Sequence, residues 1–119
     1  MSAVQVGKWS GLEQRRDKRV PLKVPIECRS QQTVVAAMAE NVSVTGLLVR
    51  SARTFLEDDV ITVSFSLPGS SQPIRSQARV AHVVPDRFMG LELLDLQNSS
   101  REQIVRYIES IAAPASKQK

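Results

Sequence analysis

Ile61, Val63, Phe65 and Leu67 alternate with Val60, Thr62, Ser64 and Ser66. A period of two sends neighbouring side chains to opposite faces, the arrangement of a half-buried strand. The same period runs through Leu22, Val24, Ile26 and Cys28, which alternate with Lys23, Pro25, Glu27 and Arg29. Pro25 falls in the polar set and has no amide proton for a ladder, so this strand is expected at a sheet edge or at a bend. Further short apolar runs cover residues 33–40, Gly46–Arg50, Ile74–Val84 and Phe88–Leu94. Polar stretches separate them: Ser30-Gln31-Gln32, then Pro68-Gly69-Ser70-Ser71, then Pro85-Asp86-Arg87.

The period changes near the end of the chain. Ser99-Ser100-Arg101-Glu102 has capping-box spacing. Ile104, Ile108 and Ile111 then share one helical stripe, with Glu102 and Arg106 placed for an i,i+4 ion pair and Pro114 as the stop. Six short strands at regular turn spacing, followed by one amphipathic helix, predict an all-β fold: a six-stranded antiparallel barrel with the helix packed on it. A chain of 119 residues, 42% of them apolar, supports a single core. The expected division is an arm over residues 1–14, one domain over residues 15–112 and a tail over residues 113–119. No apolar run is long enough to span a bilayer, so no membrane insertion is expected. Residues 1–11 lack the layout of a secretory signal, and Cys28 is the single cysteine. Both point to a cytoplasmic protein.

Little in the sequence can carry catalysis. His82 is the single histidine and falls in mid-strand, away from any nucleophile-and-acid arrangement. Ser43 and Ser70 have no nucleophile-elbow context. One histidine and one cysteine do not make a structural zinc site. Glu57, Asp58 and Asp59 form an acidic group before the fourth strand, which reads as a solvated loop. Neither type of glycine-rich phosphate loop is present. The chain is therefore expected to bind rather than to catalyse, with no metal and no cofactor.

What it binds is indicated by where its charge lies. Residues 1–29 carry seven basic and three acidic side chains, while the rest of the chain carries nine of each, so the net +4 belongs to the first quarter. Arg15-Arg16-Asp17-Lys18-Arg19 is the centre of that excess and has the spacing RxxxR. An anionic partner fits such a segment. The second notable stretch is Asn41-Val42-Ser43-Val44-Thr45-Gly46, of the pattern NxSxxG. Taken by themselves, Asn, Ser and Gly are turn formers.

The two motifs in this order, flanking strands of a small β domain, resemble the PilZ domain family of bacterial cyclic di-GMP receptors. The resemblance extends from Arg15 to about Leu96 and includes Arg79 to Val84, a turn, and Gly90-Leu91-Glu92-Leu93. It implies cyclic di-GMP as the ligand, held by Arg15, Arg16, Arg19, Asn41, Ser43 and Gly46. The residue types suit that ligand. An arginine fork matches a phosphate or the O6/N7 edge of guanine, and its flat face stacks on a purine. Asn41 and Ser43 can fix a turn and reach a guanine or phosphate. Gly46 answers either a positive φ or the need to keep a side chain out of the ligand's way. Trp9, in the arm, is outside the family motif and is expected to pack or stay free. A domain without a fused output module implies an adaptor, a monomer or weak dimer, that signals to an unidentified effector protein. Two other readings compete. One is a ligand-blind PilZ scaffold. The other is a small barrel binding single-stranded nucleic acid, which five scattered aromatics do not favour, so no DNA or RNA is expected.

Overall fold

The structure is a computed structural model and describes residues 18–112. The expected arm and tail lie outside the described residues, as do Trp9, Arg15 and Arg16. Strands β1 (Val20–Arg29), β2 (Val34–Val42), β3 (Gly46–Arg50), β4 (Val60–Phe65), β5 (Ile74–Val84) and β6 (Phe88–Leu94) precede helix α1 (Asn98–Ala112). The strands form a closed barrel in the order β1-β2-β3-β6-β5-β4, with every pairing antiparallel. The expected six-stranded barrel with a C-terminal helix is the fold observed.

The inward set follows from the alternation. Leu22, Ile26, Cys28, Ile61, Val63 and Phe65 are all buried, while Lys23, Glu27 and Arg29 are exposed. β1 departs from strict alternation between Pro21 and Val24, where its register against β2 shifts and Lys23 takes the left-handed conformation at φ 55°. Such an irregularity bends the strand and strengthens its twist. Of the two roles open to Pro25, the edge is the one realised, since the bend lies before it, between Pro21 and Val24. β1 pairs with β4 only over Ile26 to Arg29, so Pro25 sits just beyond that ladder, where no amide proton is required of it.

Four boundaries differ from expectation, the first being β1, which begins at Val20 rather than Leu22. β2 begins at Val34 and runs on to Val42, so the NxSxxG motif starts inside a strand rather than in a turn. β4 stops at Phe65, although Leu67 remains buried in the core. α1 starts at Asn98, and Arg101 N–H already donates to the Gln97 carbonyl. Ser99 therefore lies within the first turn, and the capping box expected of Ser99 and Glu102 does not form among the described hydrogen bonds.

The isoleucine stripe also divides. Ile104 is fully buried, Ile108 is half-buried and Ile111 is exposed. Ile104 enters the core at one end of the barrel, and the helix then runs past its rim. The face that packs is Ile104, Tyr107 and Ile108. Two hydrogen bonds secure it: Ser70 Oγ to Gln103 Oε1 at 2.8 Å and Tyr107 Oη to the Pro21 carbonyl at 2.9 Å. The Glu102–Arg106 pair spans 4.0 Å between exposed side chains and contributes little.

Antiparallel pairing sorts the connections onto two ends. The start of β1, the β2–β3 turn, the β4–β5 loop and the exit of β6 share one end. The β1–β2 connection, the β3–β4 loop and the β5–β6 turn share the other.

Candidate binding site

The two motifs are far apart in sequence and adjacent in space. Val20 pairs with Val42 and Pro21 with Asn41, so Arg19 enters the barrel alongside the turn that begins at Ser43. Arg19 is exposed there. Tyr107 reaches the same point from the helix through its bond to Pro21. The start of β1 is thus held by β2 on one side and by α1 on the other.

Ser43 organises the turn. Its Oγ accepts from the amides of Thr45 at 3.2 Å and Gly46 at 3.1 Å, and the Ser43 amide donates to the Gly46 carbonyl at 2.9 Å. The side chain is fully buried. Its position makes it a brace for the loop rather than a group presented to solvent. The Thr45 carbonyl in turn accepts from Leu93 N–H at 2.9 Å, which ties the turn to β6.

Gly46 has a reason to be glycine that neither expected account contains. Its φ is not positive. A methyl group at this position would overlap the Leu91 carbonyl oxygen on the neighbouring strand. The backbones of β3 and β6 approach so closely here that no Cβ fits.

Asn41 is the residue left incomplete. Its neighbour Val42 is fully buried, so Asn41 falls on the outward set of β2, in register with Pro21 and Leu48. Its Oδ1 is nevertheless buried and has no hydrogen-bond partner among the described residues. Buried acceptors in folded proteins are nearly always satisfied, and one left alone invites a donor.

Beside Asn41, the Glu40 carboxylate is held by Arg50 at 2.8 Å and by Lys23 at 3.6 Å. The Arg50 hydrogen bond, with the positive charges of Arg50 and Lys23, keeps the Glu40 carboxyl below its ordinary range despite some desolvation. Left alone, an acid at this position would repel an anion, and here its charge is offset twice. This trio escaped sequence reading because its members lie on three strands. Only their matching outward positions, once register is known, bring them together.

His82 is exposed, opposite Gly90 at a register shift between β5 and β6. Among the described residues no group of three or more His, Cys, Asp or Glu side chains is arranged to hold a metal ion, and no helix is long and apolar enough to cross a membrane. A cleft of about 460 Å³ lies at the same end of the barrel, between Leu67–Ser71 of the β4–β5 loop and Gln103, Arg106, Tyr107 and Ser110 of α1. Asn41, Ser43 and Gly46 do not line it.

Solved structures share this architecture. The Bacillus subtilis inhibitor of motility, MotI/DgrA, superposes with a TM-score of 0.70 at 17% identity, over 85% of this chain and 51% of that one. The PilZ domain of Escherichia coli YcgR, solved with c-di-GMP, gives 0.68 at 12% identity over 88% of this chain and 96% of that one. Borreliella burgdorferi PlzA, also in complex with c-di-GMP, gives 0.61 at 16% identity, over 88% of this chain and 47% of that one. The chain thus spans about half the length of MotI/DgrA and PlzA, and nearly all of the YcgR domain. No match was found among curated proteins. At these identities the likeness is one of fold. The sequence itself goes further: a family model described as the PilZ domain matches residues 13–110, most of the chain, and the protein belongs to the PilZ domain family.

Proposed function

We propose that this protein is a receptor for cyclic di-GMP that works as an adaptor in the bacterial cytoplasm. The observation that carries the reading is the pairing of Val20 with Val42, which sets the end of the RxxxR segment beside the NxSxxG motif. The unpartnered Oδ1 of Asn41 at that meeting point adds a waiting acceptor, suited to the N–H edge of a guanine. YcgR and PlzA, whose domains share the fold, were solved with this nucleotide.

In this reading Arg15 and Arg19 supply two guanidinium forks to the phosphates and guanines, and Arg16 adds a third contact. Asn41 takes a base edge. Ser43 shapes the turn that presents it, and Gly46 keeps β3 and β6 close enough for that turn to lie flat. Lys23 and Arg50 neutralise Glu40, so the site carries net positive charge toward a dianion. Binding fixes the segment bearing Arg15 to Arg19 against the start of β1, and the surface so formed is read by an effector protein. The protein acts as a monomer or weak dimer and without a cofactor.

Calorimetric titration with cyclic di-GMP tests the proposal, with Arg15→Ala and Arg19→Ala as variants. Affinity unchanged in both would remove the arginines from the site.

A further inference from the structure

The other end of the barrel carries a second concentration of arginine. The β3–β4 loop and the β5–β6 turn are joined there by hydrogen bonds from Ser51 N–H to the Arg87 carbonyl at 2.8 Å and from Asp86 N–H to Thr54 Oγ1 at 3.1 Å. Between them lies a pocket of about 330 Å³ lined by Arg50, Ser51, Ala52, Asp86, Arg87 and Phe88. Arg53 follows Ala52 in the same loop and is exposed, as is Arg87. Arg50 is taken up by Glu40. Arg53 and Arg87 have no carboxylate within 4.0 Å among the described residues, although Asp86 is next in sequence to Arg87.

The surroundings are apolar as well as basic. Phe88 is half-buried in the pocket wall, and Val84, its cross-strand partner, is 39% exposed. A solvated basic loop needs no aromatic floor. An aromatic and an aliphatic group near two guanidiniums that hold no carboxylate partner have the composition of a protein interface, in which arginine and aromatics are enriched.

We propose that this pocket is the docking site for a partner's acidic segment bearing an apolar anchor. The anchor lies on Phe88 and Val84, and carboxylates meet Arg53 and Arg87. The partner's chemistry follows from charge complementarity: Asp86 is the one carboxylate lining the pocket, Glu40 is spent on Arg50, and Glu57, Asp58 and Asp59 of the same loop lie outside the lining, which leaves Arg87 and the adjoining Arg53 to meet acids. The location fits an adaptor, because the pocket and the Asn41 turn lie at opposite ends of β3 and β6, and each can be occupied without covering the other. The inference rests on the adaptor reading for its purpose, though its chemistry can be tested alone.

The test uses the full chain and a fluorescein-labelled peptide, Asp-Glu-Leu-Phe-Asp-Glu, with binding followed by fluorescence anisotropy. The expected result is saturable binding that weakens by about tenfold or more in Arg53→Glu and in Arg87→Glu. A version with lysine in place of each acid is expected to prefer the charge-reversed proteins. Arg87→Ser serves as the milder variant should Arg87→Glu lose its fold by circular dichroism. No binding of the acidic peptide overturns the proposal, as does equal affinity for the variants. Equal affinity for a peptide with serine replacing Leu and Phe also overturns it, since that is charge attraction without an anchor. Cyclic di-GMP titrated into the same variants is expected to bind as in the parent. Loss of nucleotide binding by the parent chain, with peptide binding intact, would instead sink the receptor reading and leave the docking site standing.

Discussion

The Tyr107 hydroxyl donates to the carbonyl of Pro21, 86 residues earlier in the chain, at 2.9 Å. Through this bond the helix holds the first residues of β1 after Arg19. Tyr107→Phe keeps the ring and its packing and removes one exposed hydrogen bond. Stability is expected to fall by about 0.5–1 kcal/mol in chemical denaturation. Affinity for cyclic di-GMP is expected to weaken in parallel, because the start of β1 is less firmly placed. An unchanged affinity would mean that β2 alone positions the arginine segment.

Gly46→Ala is expected to be costly for the fold itself. The added methyl meets the Leu91 carbonyl, which is part of a strand ladder and cannot rotate away. Overpacking of this kind costs about 1–3 kcal/mol. A drop in melting temperature without ligand present is the readout that separates this from a defect in binding.

Asn41→Ala makes the complementary prediction. It removes a buried acceptor that has no partner among the described residues, so the free protein is expected to be as stable as the parent or slightly more so. Cyclic di-GMP affinity is expected to fall by about tenfold, the worth of one well-made polar contact to a base. A thermal-shift series with and without nucleotide checks both halves. A parent chain with no shift at saturating nucleotide would favour the ligand-blind scaffold.

Ile104→Ala is expected to destabilise by about 2–5 kcal/mol, since a fully buried side chain leaves a cavity where the helix meets the barrel. Denaturant unfolding should show this as a lower midpoint with little change in slope. Ile111→Ala, on the exposed end of the same stripe, should change stability very little.

Burial, and secondarily the charge of Glu27, pushes the Cys28 thiol up to about 11. Its side chain is fully enclosed on the inward face of β1. The folded state binds the thiol proton more tightly than the unfolded state does. The contribution to stability is therefore complete below the ordinary thiol range and is lost as pH rises through about 11. At pH 8 a thiol reagent is expected to modify Cys28 only as fast as the protein opens. Rapid modification of the native protein would contradict the burial.

The barrel was legible in the sequence because its signal is local. Gly46–Arg50, Ile74–Val84 and Phe88–Leu94 begin and end where turn residues and alternation place them. The helix start was misplaced because Ser99 and Glu102 have the spacing of a cap, while the chain leaving β6 brings Asn98 into the helix first. Ile111 reads as core by periodicity, yet the barrel end is only wide enough to cover Ile104 and parts of Tyr107 and Ile108. For the site, residue types were visible and their duties were not. Nothing in NxSxxG tells that Ser43 faces inward, that Asn41 still lies within a strand, or that Gly46 lies against Leu91. Those facts depend on the register between strands, which arises only when distant segments pair. Arg15 and Arg16 remain sequence assignments, outside the described residues.

The contact of Gly46 with Leu91 sets different rules of change for two letters of one short motif. If Asn41 serves the nucleotide as proposed, a lineage that gave up that ligand would be free to replace it, since its acceptor has no partner in the described structure. It would still have to keep Gly46, because the barrel cannot close comfortably without it. On the proposed reading, then, the glycine reports ancestry among distant cousins, and the asparagine is the better witness to whether the messenger is still heard.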